Sequence, residues 1–431
     1  MSRWWLALMG VFGVAFACVT PPFQAPDEVG HYWRAVSLAR GAVLPSMATG
    51  KPTALVPAGV KELVATLWVP TAGRPDLEVG VERLRAASRI PLQRERLVLV
   101  TFPAQYSPIP QLPTVIPCSV GLLLGVRPLL VLYIARCCNV AALILLLWLS
   151  ARRLGEHAAP LIAVGLLPMT LYVAGSFSPD AVTIGVACLV TALVLTPSGD
   201  RSYWVTLLVA PFVLSLCKPT YFLLPLLVLC TARHKWKRNA LLLSVIVAGV
   251  IAAGAIARRD YFPMRTDVMT SPAAQLRFVC AHPVTTLSVF TTDYLQHSLQ
   301  YVDHFVGHLG WLDVPLPRPF VMLVFALLLC VAFTASPLMN WKTRCVAWLV
   351  VAASALLVSL SQYMAWTAVG APFVEGMQGR YFLPLAPIAF ASMTGVPVSP
   401  RVRQIVLVLF VTSAGLLDVI GVFVVLRRYY R

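Results

Sequence analysis

The densest chemistry in the sequence lies just after the first apolar run, in Pro21-Pro-Phe-Gln-Ala-Pro-Asp27-Glu28-Val-Gly-His31-Tyr-Trp-Arg34. Two adjacent carboxylates are followed by a histidine three residues past Glu28 and an arginine three further on. A carboxylate tuned by such neighbours, within reach of a hydroxyl, is the chemistry of a general base. If Asp27 caps a helix, then Glu28, His31 and Arg34 share roughly one face. The plainer reading is an N-cap with a solvated first turn.

A second cluster is Glu375-Gly-Met-Gln378-Gly-Arg380-Tyr381-Phe-Leu-Pro. Gly379 lets backbones approach closely, and Arg380 stands where an apolar run begins. A guanidinium there can hold a lipid-linked phosphate through two parallel hydrogen bonds. The alternative is an Arg–Tyr anchor at the membrane interface. The third cluster is Gln300-Tyr301-Val-Asp-His304-Phe-Val-Gly-His308-Leu-Gly-Trp311-Leu-Asp313. His304 and His308 are one helical turn apart, and Tyr301 and His297 can continue their stripe. That spacing can take a divalent metal, but the glutamate of an HExxH motif is missing. A substrate-lining or interfacial stretch is the stronger reading, and no cofactor is required.

Single polar residues interrupt the apolar runs: Arg136 and Asn139, Asp180 in Ser176-Phe-Ser-Pro-Asp180, Lys218 before a proline, and Asp418. Ionisable groups at membrane depth are costly and face a partner or a cavity. One reading pairs Asp180 with Arg136. The sharper one makes Arg136, Lys218 and Arg380 an anion cradle.

The elements that must position these residues are membrane helices. Of 431 residues, 59% are hydrophobic and 12% charged, and mean hydropathy is +0.80. Soluble domains are less apolar and about twice as charged. Disorder needs low hydrophobicity and is excluded. The expected class is an all-α integral membrane protein, a polytopic bundle of about 11 (10–13) transmembrane helices.

Apolar runs fall at 4–20, 128–149, 158–175, 180–196, 203–217, 219–231, 239–257, 319–338, 345–366, 381–397 and 404–426. Leu112–Val126 is short and proline-interrupted, and is read as lying in the interface. The first run, near a signal peptide in form, is read as a retained helix. Two hydrophilic stretches, 21–127 with short amphipathic helices and 258–318, are expected as external loops of a single domain over 1–431.

The net charge of +17 reads as membrane topology rather than nucleic-acid binding. With the N-terminus inside, Arg152-Arg153, Arg201, Arg233–Arg238, Lys342/Arg344 and Arg401/Arg403 fall on the cytoplasmic side, as basic loops do. The basic tail Arg427-Arg428-Tyr-Tyr-Arg431 breaks this pattern and falls outside. The ten cysteines mostly sit in apolar runs as small apolar residues. No P-loop, GxGxxG or DxD-like motif offers a nucleotide site.

The segments PPFQAPDEVGHYWRA (21–35), SFSPD (176–180), CKPTYFLLPLL (217–227), LGWLDVPLP (309–317) and EGMQGRYFLPLAP (375–387) resemble a bacterial membrane family catalogued as domain of unknown function 2142. The match runs along nearly the whole chain. The layout, with a large acidic loop after helix one, resembles the GT-C superfamily of membrane glycosyltransferases. The resemblance implies a polyprenyl-phosphate-sugar donor, an active site on the external face of the bacterial cytoplasmic membrane, and an inverting transfer. The acceptor would be an envelope glycan, lipid or protein. Carried over by motif position, the base falls on Asp27, with Glu28 second. His31 and Arg34 would orient them, with Tyr301, His304, His308, Trp311, Asp313 and Gln378 beside substrate. Arg136, Asp180, Lys218, Arg380 and Tyr381 would hold the lipid phosphate. Two other classes stay open: a polysaccharide polymerase or ligase using lipid diphosphates, and a non-enzymatic lipid or glycan transporter.

Overall fold

A computed structural model describes residues 4–48, 50–71, 74, 76–231, 236–261 and 270–430. The chain is overwhelmingly helical, with two small antiparallel hairpins. Residues Arg233, His234 and Lys235 of the expected basic run lie outside the described residues, as do Arg3 and Arg431.

Among the described residues, four helical stretches are long and apolar enough to cross a membrane: Pro128–Gly165, Trp236–Arg259, Trp341–Ala365 and Pro400–Tyr429. Six more apolar helical segments are shorter, among them Trp4–Val19, Asp180–Leu195 and Arg318–Thr334. This corrects the expected count of about 11. The cause is length. A bilayer core of roughly 30 Å needs about 20 helical residues, and Asp180–Leu195 has 16.

Several apolar runs are also broken. The run 158–175 becomes Ala159–Gly165 and Pro168–Ala174, because Leu167 precedes a proline and turns extended. Lys218 is extended ahead of Pro219 and ends the helix Arg201–Cys217; short 3-10 turns follow. The run 381–397 retains only the helix Ala386–Met393 after a 3-10 turn at Gly379–Phe382. These pieces are core rather than wall. Almost every residue of Asp180–Leu195 is buried, as expected of a helix apolar on all faces.

The stretch 21–127 folds into four helices, Glu28–Ala39, Ala58–Leu67, Val81–Ala87 and Leu112–Leu124, around a hairpin. Its strands Thr53–Pro57 and Leu97–Thr101 pair with Leu55 opposite Leu99. Leu112–Leu124 and the start of Pro128–Leu154 form a tight pair, and the Arg127 side chain between them donates to the Ser88 carbonyl. Leu112, Ile116, Val120, Leu123 and Leu124 are exposed along the former. In the second stretch the helix Pro283–Val306 follows Pro272–Ala281.

Hydrogen bonds define two polar ends of the bundle. At one, Arg153 bonds the Thr196 carbonyl, His157 the Ser336 carbonyl, and Arg403 the Thr334 carbonyl and Ser336 hydroxyl. The other carries the 21–127 stretch. The basic tail also lies at this loop end. Arg428 donates to the carbonyls of Leu77, Thr71 and Arg74 and pairs with Asp313 at 3.0 Å, while the Tyr429 carbonyl accepts from Val79 and Gly80.

Candidate functional site

The two adjacent carboxylates have opposite fates. Glu28 and Arg136 are both fully buried and joined side-on, Nε to Oε1 at 2.8 Å and Nη2 to Oε2 at 2.6 Å. Glu28 also accepts from the backbone nitrogens of Phe23 and Phe177. Arg136 donates its remaining protons to the carbonyls of Ala17, Thr20 and Pro21, at the C-terminal end of the first helix where carbonyls lack partners. Four contacts occupy the carboxylate, so Glu28 has no lone pair turned to a substrate. Arg136 is likewise not part of an anion cradle, and it does not pair with Asp180.

Asp27 stands free of that network. Its backbone lies in the left-handed region (φ 60), and its side chain makes no capping bond, so the expected N-cap is not formed. The side chain is 39% exposed and faces Arg380 across 3.9 Å. A non-glycine residue held there is strained, and such strain collects at binding and catalytic positions.

Asp180, at the start of its helix, pairs with Lys218 at 2.6 Å. The Lys218 ammonium lies over the Tyr381 ring at 5.0 Å, and the Arg380 guanidinium approaches the same ring at 5.4 Å. Arg380 is largely buried, and its Nε has no partner. The turn carrying it sits directly on Pro283–Val306: a Cβ at Gly379 would overlap the Tyr301 carbonyl oxygen and crowd the Phe305 nitrogen. Only glycine allows that approach.

His31 lies within the field of Asp27, Asp180, Lys218 and Arg380. Burial, outweighing the two carboxylates, lowers its pKa. Its Nδ1 contacts the Gln111 side-chain amide at 3.2 Å. Tyr106 packs beside it, ring centroids 6.2 Å apart, and burial raises its phenol. Tyr221 donates to the Tyr381 carbonyl at 2.7 Å. Tyr106, Gln111 and Tyr221 were not singled out from sequence. Their only signal is position, in the proline-rich end of the first loop and beside Lys218-Pro219.

Other expected site residues lie beside this cluster or apart from it. Arg34 turns away from the carboxylates: it is buried, donates to the Val43 carbonyl at 2.9 Å and has Asp260 and Arg259 as charged neighbours. His304 and His308 stack edge to face at 5.1 Å. His308 contacts the Leu312 carbonyl, while His304 Nδ1 and Gln378 Oε1 are buried without partners. Burial first, then His308 and Arg380, lowers the His304 pKa to about 4. Among the described residues no group of three His, Cys, Asp or Glu gathers as a metal site. Tyr301 is bound to Asp293. Trp311 reaches the Phe23 carbonyl through its indole nitrogen, and Asp313 holds the Trp311 nitrogen as well as Arg428 and Tyr429. These last two brace the loop end.

A cluster drawn from the first loop, Asp180, Lys218 and the Gly379 turn therefore spans the chain from 27 to 381, and a family model for predicted membrane proteins of the DUF2142 type matches residues 10–389. The chain belongs to this DUF2142 family. No curated protein and no solved structure matches it. The family description extends to membrane residence and no further.

Proposed function

We propose that this DUF2142 protein is a membrane glycosyltransferase that moves a sugar from a polyprenyl-phosphate donor to an envelope glycan, lipid or protein, with inversion. One observation carries the reading. Asp27, a strained and accessible carboxylate, faces Arg380, whose guanidinium meets the Lys218 ammonium over one tyrosine ring at the loop end.

Asp27 takes the proton of the acceptor hydroxyl. The oxygen attacks the anomeric carbon opposite the lipid phosphate, and the sugar–phosphate bond breaks with its electrons going to phosphate. Arg380 and Lys218 stabilise that charge as it develops. Asp180 keeps Lys218 in place, and neutral His31 leaves the Asp27 carboxylate without a second cation at its side. The apolar helix surfaces accept the isoprenoid. Arg153, Arg344, Arg401 and Arg403 belong to the opposite end, which on the positive-inside pattern is cytoplasmic and makes the loop end external, in a GT-C-like layout in the inner membrane.

The test is transfer by the purified full chain in nanodiscs, given a panel of radiolabelled polyprenyl-phosphate sugars and a crude envelope acceptor. Transfer that Asp27→Asn abolishes in a folded protein supports the reading. Transfer from diphosphate donors alone makes the protein a polymerase or ligase. Donor binding without turnover for any donor makes it a transporter.

A further inference from the structure

A second site lies at the far end of the helix that carries His31. Glu28–Ala39 has 12 residues, so its C-terminal end is about 18 Å from Asp27 along the axis. There a cavity of about 450 Å³ opens between this helix, the strand beginning at Leu97 and the helix Leu112–Leu124. Its lining divides sharply. Arg40, Arg94, Glu95 and Ser119 are polar; Leu97, Leu122 and Leu123 are apolar.

We infer that this cavity binds an anionic phospholipid, its phosphate on Arg40 and Arg94 and its chains over Leu122 and Leu123. Two guanidiniums against one carboxylate leave the lining positive. The surrounding segment reinforces it, since residues 81–96 hold five arginines and two glutamates. Guanidinium matches phosphate geometry and is weakly hydrated, which suits a site at a membrane edge. The apolar wall distinguishes a lipid from a soluble anion. Leu123 is 71% exposed, and the same helix shows Leu112, Ile116, Val120 and Leu124 in an unbroken apolar stripe. A chain leaving the cavity past Leu122 therefore runs onto a surface that is already apolar. A soluble anion gains nothing from that surface, whereas a lipid chain buries methylenes against it.

The inference does not rest on the transferase reading, since no residue of the Asp27 cluster lines the cavity. The experiment uses the full chain in detergent, titrated with short-chain phosphatidylglycerol, phosphatidylcholine or inorganic phosphate and read by native mass spectrometry. Phosphatidylglycerol is expected to bind at least five-fold more tightly than phosphatidylcholine. The double variant Arg40→Gln/Arg94→Gln should remove that preference. Both arginines are exposed, so its melting temperature should be that of the parent. Asp27→Asn should bind phosphatidylglycerol unchanged. Equal binding of the two lipids overturns the inference, as does a preference that survives the double variant. Inorganic phosphate competing as well as the lipid would make this a soluble-anion site instead.

Discussion

The carboxylate of Glu28 and the guanidinium of Arg136 pair side-on, both fully buried, although 108 positions separate them in the chain. The pair joins the first helix, the first loop and the helix Pro128–Leu154 at one point. Asp27, its immediate neighbour, is left out of the lock and sits in the left-handed region. One of two adjacent carboxylates is thus consumed by the fold, and the other is left accessible.

Removing one partner of the lock should be severe. Arg136→Gln leaves a buried carboxylate unpaired, which costs about 3–5 kcal/mol. A marked fall in melting temperature in detergent is expected. Glu28→Gln/Arg136→Gln together should cost less than the two single changes added, because the charges vanish as a pair. Additive losses would show that the two side chains act independently.

Asp27→Gly should separate stability from activity. Glycine adopts the left-handed region freely, while aspartate tolerates it better than most residues but less well than glycine. The variant should melt at or slightly above the parent temperature and lose sugar transfer. Asp27→Asn should match it in activity. A glycine variant that melts well below the parent would mean that the side chain supports the fold.

Gly379→Ala tests how Arg380 is held. The added methyl has only backbone in front of it, the Tyr301 carbonyl and the Phe305 nitrogen, so neither neighbour can rotate aside. A cost of about 1–3 kcal/mol is expected. Transfer should fall further than this loss of stability explains, because Arg380 moves with the turn.

His304 gives the fold an acid-sensitive point. Its pKa falls from 6.5 to about 4 because burial, His308 and Arg380 all oppose its charge. The unfolded chain therefore binds the proton more readily. This contribution to stability is complete above pH 6.5 and is lost as the pH falls from there to about 4. Melting curves of His304→Gln should show a flatter decline across that window than the parent. Parallel declines would place the acid sensitivity elsewhere.

The motifs that meet at the site were legible because charge is so scarce in an apolar chain. Asp27, Asp180, Lys218 and Arg380 each stood out against their surroundings. Their pairing was not legible. Arg136 was matched with Asp180 or with an anion cradle, and its true partner Glu28 was missed, since sequence carries no depth along a helix. Arg34 shares a face with His31 by spacing, yet the Val43 carbonyl takes its guanidinium. Hydropathy also overstated the spans. A run such as 158–175 is apolar throughout, but Pro168 breaks it, and it lies in the protein's interior, where apolar side chains mark protein packing as readily as lipid. The hairpin Thr53–Pro57 with Leu97–Thr101 escaped notice because its strands lie 40 residues apart among amphipathic helices.

Arg428 ends its reach on the Leu77 carbonyl, 351 positions earlier in the chain. The ribosome makes the first loop long before it makes the residue that fastens it. The loop must wait on its side of the membrane, unfastened, while the intervening helices are threaded in. A nascent chain stalled before the last helix would carry the candidate site without its clasp. Closure of that clasp therefore waits for the helix Pro400–Tyr429, and protease access at Leu77 should report whether that helix has arrived.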